Sequence, residues 1–251
     1  MTTAITIELC AAGIGDCELA ESRRLARLEL NSAMPCGGLT PSLGVLKEAR
    51  QTFSGRIIAM LRPREGGFCY SDAEFRVMLR DADLLLENGA DGIAVGILTS
   101  EGLPDLERCE ELRRLLPGSD IVFHRAFDVI PDPLLGMRQL QELGFTRILT
   151  SGGCQTALQG IPLLSQLQAS APDGFILPGG GIRANCIRQL IRQTGCRQFH
   201  TSCQGLITDS STAHQPQLQF GTGTAEPAGN NGAYTSANAD MLDELLNLTN
   251  C

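Results

Sequence analysis

DIVFHRAFD, residues 120–128, begins as a buried β-strand and ends as something else. Ile121, Val122 and Phe123 are residue types that a fully covered strand uses, but His124 and Arg125 follow at once. Such groups are not left in a core without partners, because burying an unsatisfied polar or charged group is costly. The strand therefore runs out into a polar place. Which place that is depends on the units around it.

Short apolar runs alternate with amphipathic stretches along the whole chain. Strands are predicted at 5–11, 27–31, 56–62, 91–97, 120–125, 146–151, 174–179 and 197–202. Between them the apolar residues recur with helical spacing, as in 71–89, where Phe75, Leu79 and Leu86 share a face. Ser71 followed by Glu74 reads as a capping box, and Gly89 as the C-terminal stop. Stretches 105–116, 133–143, 182–194 and 239–248 read the same way. Strict strand–helix alternation over 251 residues predicts an α/β fold, the (β/α)8 TIM barrel, as a single domain over residues 1–251. A doubly wound open sheet is the rival, but no GxGxxG follows the first strand. The polar segment 205–238, with GTGTAEPAGNNGAY inside it, reads as a loop after strand 8. It is either a mobile lid on the binding face or a disordered insertion.

A net charge of −8 and a pI near 4.9 argue against nucleic acid or an anionic membrane as partner. No apolar run is long enough to cross a bilayer, and the N-terminus lacks the basic region of a secretory signal. The ten cysteines are scattered, with no CxxC pair, so reduced thiols in a cytoplasmic protein are expected. Of the 20 basic residues only Lys47 is a lysine, and it falls in the helix after GGLTPSLG, which argues against a Schiff-base mechanism. No GxSxG nucleophile elbow occurs either.

Barrel sites gather at the C-terminal ends of the strands. If the apolar sets of each strand face the helices, Glu8, Glu29, Arg62, His124 and His200 point inward near that rim, as a ligand site or as a structural ion network. LPGGGIRAN (177–185) follows strand 7 and opens a helix, so Gly179, Gly180 and Gly181 are candidate anion donors. Ser151 and Gly152 after strand 6, His200, and the guanidinium groups of Arg62, Arg64 and Arg125 join that candidate set. Glu29 and His124 are candidates for acid–base work. A zinc or iron site from His124, His200 and Glu8 or Glu29 has no local ligand spacing to support it. For a soft metal, Cys10 at the end of strand 1 is the best-placed thiol, with Cys203 beyond strand 8 next.

ELNSAMPCGGLTPSLGVLKEAR (29–50), LRPREGGFCYSDAEF (61–75), FHRAFD (123–128), RILTSGG (147–153), ALQGIPLL (157–164) and GGGIRANC (179–186) together resemble the CutC family of copper homeostasis proteins. The likeness runs in order from about residue 5 to residue 203 and fades beyond Gln204. It implies a cytoplasmic (β/α)8 barrel associated with copper and assembled as a homo-oligomer, a dimer or tetramer. It brings no settled catalytic activity. Family members carry IELC in strand 2, whereas this chain reads LELN, with Asn31 at the cysteine position and Cys36 five residues on. The arginine loop reads RPREGGFCYS, so Glu65 replaces a glycine and Gly67 an aspartate.

Two functions follow as expectations. One is copper handling, with Cu(I) held by Cys10 and by Cys36 or Cys203. The other is an enzyme acting by acid–base chemistry on a small anionic or phosphorylated metabolite. A barrel that only mediates assembly would explain the ion network but not the glycine loop.

Overall fold

Successive residues of a strand point to opposite faces, and in this chain that alternation sorts the apolar side chains into two separate clusters. The structure is a computed structural model that describes residues 5–215, 217–218 and 232–249. Strands β1 (Thr6–Ala11), β2 (Arg27–Leu30), β3 (Arg56–Met60), β4 (Gly92–Val95), β5 (Asp120–Phe123), β6 (Arg147–Thr150), β7 (Ile176–Pro178) and β8 (Gln198–Thr201) form one parallel sheet. Their order is β7-β6-β5-β4-β3-β2-β1-β8. The two ends of that order meet where the Gln198 amide donates to the carbonyls of Gly174 at 2.7 Å and Ile176 at 3.2 Å. The result is the TIM barrel that the alternation predicts.

Helices α1 (Ile14–Ser22), α2 (Leu43–Thr52), α3 (Asp72–Glu87), α4 (Leu106–Leu115), α5 (Pro133–Glu142), α6 (Ile161–Ser170), α7 (Ala184–Thr194) and α8 (Ala239–Thr249) follow the strands in turn. Leu9, Leu28, Ile57, Ile93, Phe123, Ile148 and Phe199 face them and belong to the main core. Burying each such side chain contributes about 1.5–3 kcal/mol. The capping box at α3 forms as expected, with Ser71 accepting from the Glu74 N–H and Glu74 from the Ser71 N–H. Gly89 then leaves the helix at φ +103°, a conformation that suits glycine.

The barrel interior is divided. From β3 round to β7 it is lined by Ile58, Met60, Ala94, Val122, Leu149 and Leu177. Strands β8, β1 and β2 instead bury Gln198, His200, Glu8, Arg27 and Glu29. A half that is apolar but for the buried Arg147 of β6 thus faces a polar half inside one closed sheet.

Two expectations need correction. The strand at 120–125 stops at Phe123, because His124 caps a 3-10 turn, Arg125–Val129, by accepting the Ala126 N–H on its own Nδ1 at 3.1 Å. The segment 205–238 is not all loop: β9 (Gln204–Ile207) and β10 (Tyr234–Ala237) pair antiparallel at its two ends. Residues 216 and 219–231 of that segment, and with them the lid expectation, lie outside the described residues. Nine of the ten cysteines are free thiols, Cys251 falling outside the description. No helix among the described residues is long and apolar enough to cross a membrane.

The ribbon is tied down by one buried carboxylate. Asp16 accepts from the Ala12 N–H at 2.7 Å, the Ser236 hydroxyl at 2.6 Å and the Ala237 N–H at 2.8 Å. Asp16→Ala leaves two backbone donors without this acceptor, so it is expected to cost about 2–4 kcal/mol, since hydrogen bonds to a charged group are worth about 1.5–3 kcal/mol each and partly relax to water. Hydrogen exchange should accelerate at Ala237 and across β9–β10 while the amides of β3–β5 stay protected.

Candidate functional site

At the base of the polar half lies Glu8, whose carboxylate pairs with the Arg27 guanidinium on one oxygen and with His200 Nδ1 on the other at 2.7 Å. Burial alone would raise the Glu8 carboxyl, but Arg27 and His200 outweigh it and lower it to about 2. The same pairing acts on the imidazole. Burial disfavours its charge, yet Glu29, Cys10 and Glu8 together hold His200 well above its ordinary value. Arg27 also reaches Gln198 at 2.8 Å, and Arg147 reaches Asp120 at 3.2 Å.

With Nδ1 engaged, the Nε2 of His200 is left to face the mouth, 4.0 Å from a Glu29 oxygen. Cys10 Sγ lies 3.9 Å from the same oxygen and 4.0 Å from Met34 Sδ. One ligand atom each from Cys10, Glu29 and His200 fits within 4.8 Å of the others. Asn31 locks this corner, its Nδ2 donating to Glu29 at 2.9 Å and lying 3.4 Å from Cys10 Sγ. Burial raises both the Cys10 thiol and the Glu29 carboxyl above their ordinary values. A carboxylate-oriented imidazole beside a thiol, a thioether and a carboxyl is a set that can hold a metal ion.

These groups line a cavity of about 230 Å³ at the C-terminal end of the strands, together with Arg62, Phe68, His124, Arg125, Gly180 and Gly181. Its floor is Met60 and Leu149, from the apolar half. His124 fits there because a glycine follows β4: a Cβ on Gly96 would lie 2.3 Å from His124 Cε1. Burial, and then Arg62, lowers His124 to about 3, so its imidazole is neutral at pH 7. Its Nδ1 takes the Ala126 proton, which puts its own proton on Nε2. His124 is therefore a hydrogen-bond donor toward the cavity.

Several of the expected anion donors are already engaged. Asp128, the last residue of FHRAFD, accepts from the Ser151 N–H at 2.9 Å, the Ser151 hydroxyl at 2.8 Å and the Gly153 N–H at 3.2 Å. Arg125 closes the same knot on Asp128 at 2.7 Å. The Gly152 N–H goes to Thr150 Oγ1 at 2.9 Å, and the Gly179 N–H to the Thr150 carbonyl at 2.9 Å. Ser151, Gly152 and Gly179 thus offer these donors to the protein itself. Arg64 is paired with Glu74, stacks on Tyr70 and is not part of the cavity wall. Gly180 and Gly181 differ, since among the described residues their N–H groups meet no protein acceptor.

The thiols divide in the same way. Cys10 opens on the cavity, whereas Cys203 packs in the outer core with its sulfur 3.3 Å from Thr201 Oγ1. Cys36 lies in the 3-10 turn Met34–Cys36, and its carbonyl accepts from Arg62. Met34, Asn31 and Asp128 are the residues that the sequence reading does not assign. Asp128 sits four residues beyond His124 in a motif already singled out; Met34 carries no local signal.

A TIM barrel in which a thiol, an imidazole and a carboxyl converge at one rim is the class that the fold and the site define. The CutC family model matches residues 5–205, and the chain belongs to the CutC family. A CutC family protein of Treponema denticola is 44% identical over 218 residues, covering 86% of this chain and 89% of that one. The human copper homeostasis protein cutC homolog is 38% identical, covering 79% and 73%. The crystal structure of CutC from Streptococcus agalactiae superposes with a TM-score of 0.74 at 36% identity, covering 79% of this chain and 98% of that one. A phosphoribosylanthranilate isomerase of Pyrococcus furiosus, at 11% identity and a TM-score of 0.56, shares the fold over 98% of both chains.

The neutral state of His124 has a consequence in acid. Its folded value of about 3 lies below its unfolded one, so the unfolded chain binds more protons and stability falls as pH drops from about 6.5 toward 3. The loss should amount to roughly 3–5 kcal/mol. His124→Gln, which keeps a donor and does not titrate, should flatten that part of the urea-midpoint profile. Losses below pH 4.5 that come from Glu8 should remain.

Proposed function

We propose that this chain serves copper homeostasis by holding Cu(I) at the barrel mouth, on Cys10 Sγ with His200 Nε2 and Met34 Sδ. The observation that carries the reading is the approach of Met34 Sδ to Cys10 Sγ at 4.0 Å beside an imidazole oriented by Glu8. Thiolate and thioether are the ligands that favour Cu(I), and a carboxylate behind an imidazole fixes its tautomer and strengthens it as a donor. The names of the human and mouse relatives support the same role. Binding would displace the protons of Cys10 and His200. Glu29, held by Asn31, stands next to the proposed ion.

Cys203 stays outside the proposed set because its thiol packs in the outer layer, and Cys36 because it is not among the residues that line the cavity. Asn31 occupies the position where family members carry a cysteine, and it touches Cys10. This chain therefore offers one thiolate where its relatives would offer two.

The test is an anaerobic Cu(I) titration of the reduced protein against a competing chelator. Cys10→Ser should weaken binding at least about a hundredfold and Met34→Leu about tenfold, while Cys203→Ser should leave it unchanged. Asn31→Cys should tighten it. Binding no stronger than exposed thiols provide, and unaltered in Cys10→Ser, would sink the reading.

A further inference from the structure

We infer that the barrel mouth binds a small carboxylate carrying a hydroxyl group, its anionic end held by the Arg62 guanidinium and the His124 Nε2–H. The inference is independent of copper, since it uses none of the proposed copper ligands.

It starts from a charge count around the cavity. Arg125 is matched by Asp128, and His200 by Glu8 and Glu29. Arg62 lines the same cavity at 7% exposure, and among the described residues no carboxylate lies within 4.0 Å of it. Its Nη1 donates to the carbonyls of Cys36 at 3.0 Å and Gly38 at 3.2 Å, and its Nη2 to Gly66 at 2.8 Å. Carbonyl dipoles fix the guanidinium without neutralising it. A buried cation left in that condition is costly, and a bound anion removes the cost.

Three buried polar atoms without a partner belong to residues that line this cavity, Arg62 Nε, His124 Nε2 and Asn31 Oδ1; the unpartnered Tyr70 hydroxyl beside Arg62 belongs to a residue outside the lining. Two are donors and one is an acceptor. Asn31 and Arg62 meet across Gly38: a Cβ there would lie 2.4 Å from Asn31 Oδ1, and the Gly38 carbonyl receives the Arg62 bond. Two N–H donors and one positive charge match the two oxygens of a monocarboxylate. The lone acceptor then calls for a donor on the ligand, which an adjacent hydroxyl supplies. A phosphate dianion would bring more charge than Arg62 offsets and would set it in the same cavity as Glu29. The Met60 and Leu149 floor suits a short carbon chain. Phe68 covers the two donors, its ring 5.1 Å from the imidazole centroid and 5.3 Å from the guanidinium carbon, so entry turns that ring aside.

The chain has three histidines, which makes imidazole 15N NMR a direct readout. The reduced protein, kept metal-free with a chelator, is titrated with lactate, acetate and inorganic phosphate. Lactate should shift the His124 Nε2 resonance at saturable, millimolar or lower concentration, acetate should do so at least about tenfold more weakly, and His214 should not respond. Arg62→Gln should weaken lactate binding at least about tenfold. Cys69→Ser, which removes an exposed thiol outside the cavity wall, should bind lactate as the native chain does. Because Arg62→Gln also loses bonds to three carbonyls, Asn31→Leu gives a second variant, which should erase the preference for lactate over acetate. An unmoved His124 resonance up to about 50 mM lactate and acetate overturns the inference. So does a site that prefers phosphate and leaves His124 unperturbed while moving the amides of Gly180 and Gly181.

Discussion

Everything at the mouth of this barrel hangs on the buried carboxylate of Glu8. It is 1% exposed and has two cationic partners, Arg27 and His200, on strands either side of its own. Removing any one member would leave an uncompensated charge in the core, a defect of about 3–5 kcal/mol. The cluster therefore fixes the register of β8, β1 and β2 beyond what their backbone bonds require. It also decides which nitrogen of His200 is left to face the cavity. One interaction sets both the closure of the sheet and the chemistry above it.

A second internal anion does comparable work on the opposite side. The glycine turn after β6 has the form of a site for a bound anion, yet Asp128 supplies that anion from within the chain. The motif FHRAFD then makes sense as a unit. Its histidine caps the turn, its arginine and aspartate pair, and the aspartate ties the turn to the next strand's loop. The histidine is presented to the cavity by a structure that consumes the other polar groups of the motif. Residue types that look alike in sequence as candidate ligand donors are thus divided between framework and site.

That division explains how far the sequence could be read. The eight strands and their helices are legible because alternation and helical spacing are local properties of the chain. The inward phase of Glu8, Glu29, Arg62, His124 and His200 follows from the same alternation, and all five are buried. What stays hidden depends on contacts between distant segments. Nothing near Asp128 announces that it accepts from Ser151 and Gly153, and nothing near Met34 announces Cys10 at 4.0 Å. The ribbon of β9 and β10 is equally non-local, because its strands are joined through a long polar segment and held by Asp16 in α1. Even the short error at β5 has this origin: His124 continues the strand's pattern but spends its Nδ1 on the next turn.

The two halves of the interior give the cavity two different chemistries. On the side of β8, β1 and β2, burial raises the Cys10 thiol and the Glu29 carboxyl, while Glu29, Cys10 and Glu8 hold His200 well above its ordinary value. On the proposed reading, a cation entering there would have to expel protons before it binds, which would favour an ion that binds soft ligands strongly. On the side of β3 and β5, Arg62 and neutral His124 offer donors to an anion with no proton to displace. Glu29, raised and bonded to Asn31, lines the same cavity as Arg62 and His124. Because all of these groups face one cavity of about 230 Å³, the charge that either side acquires alters the field at the other.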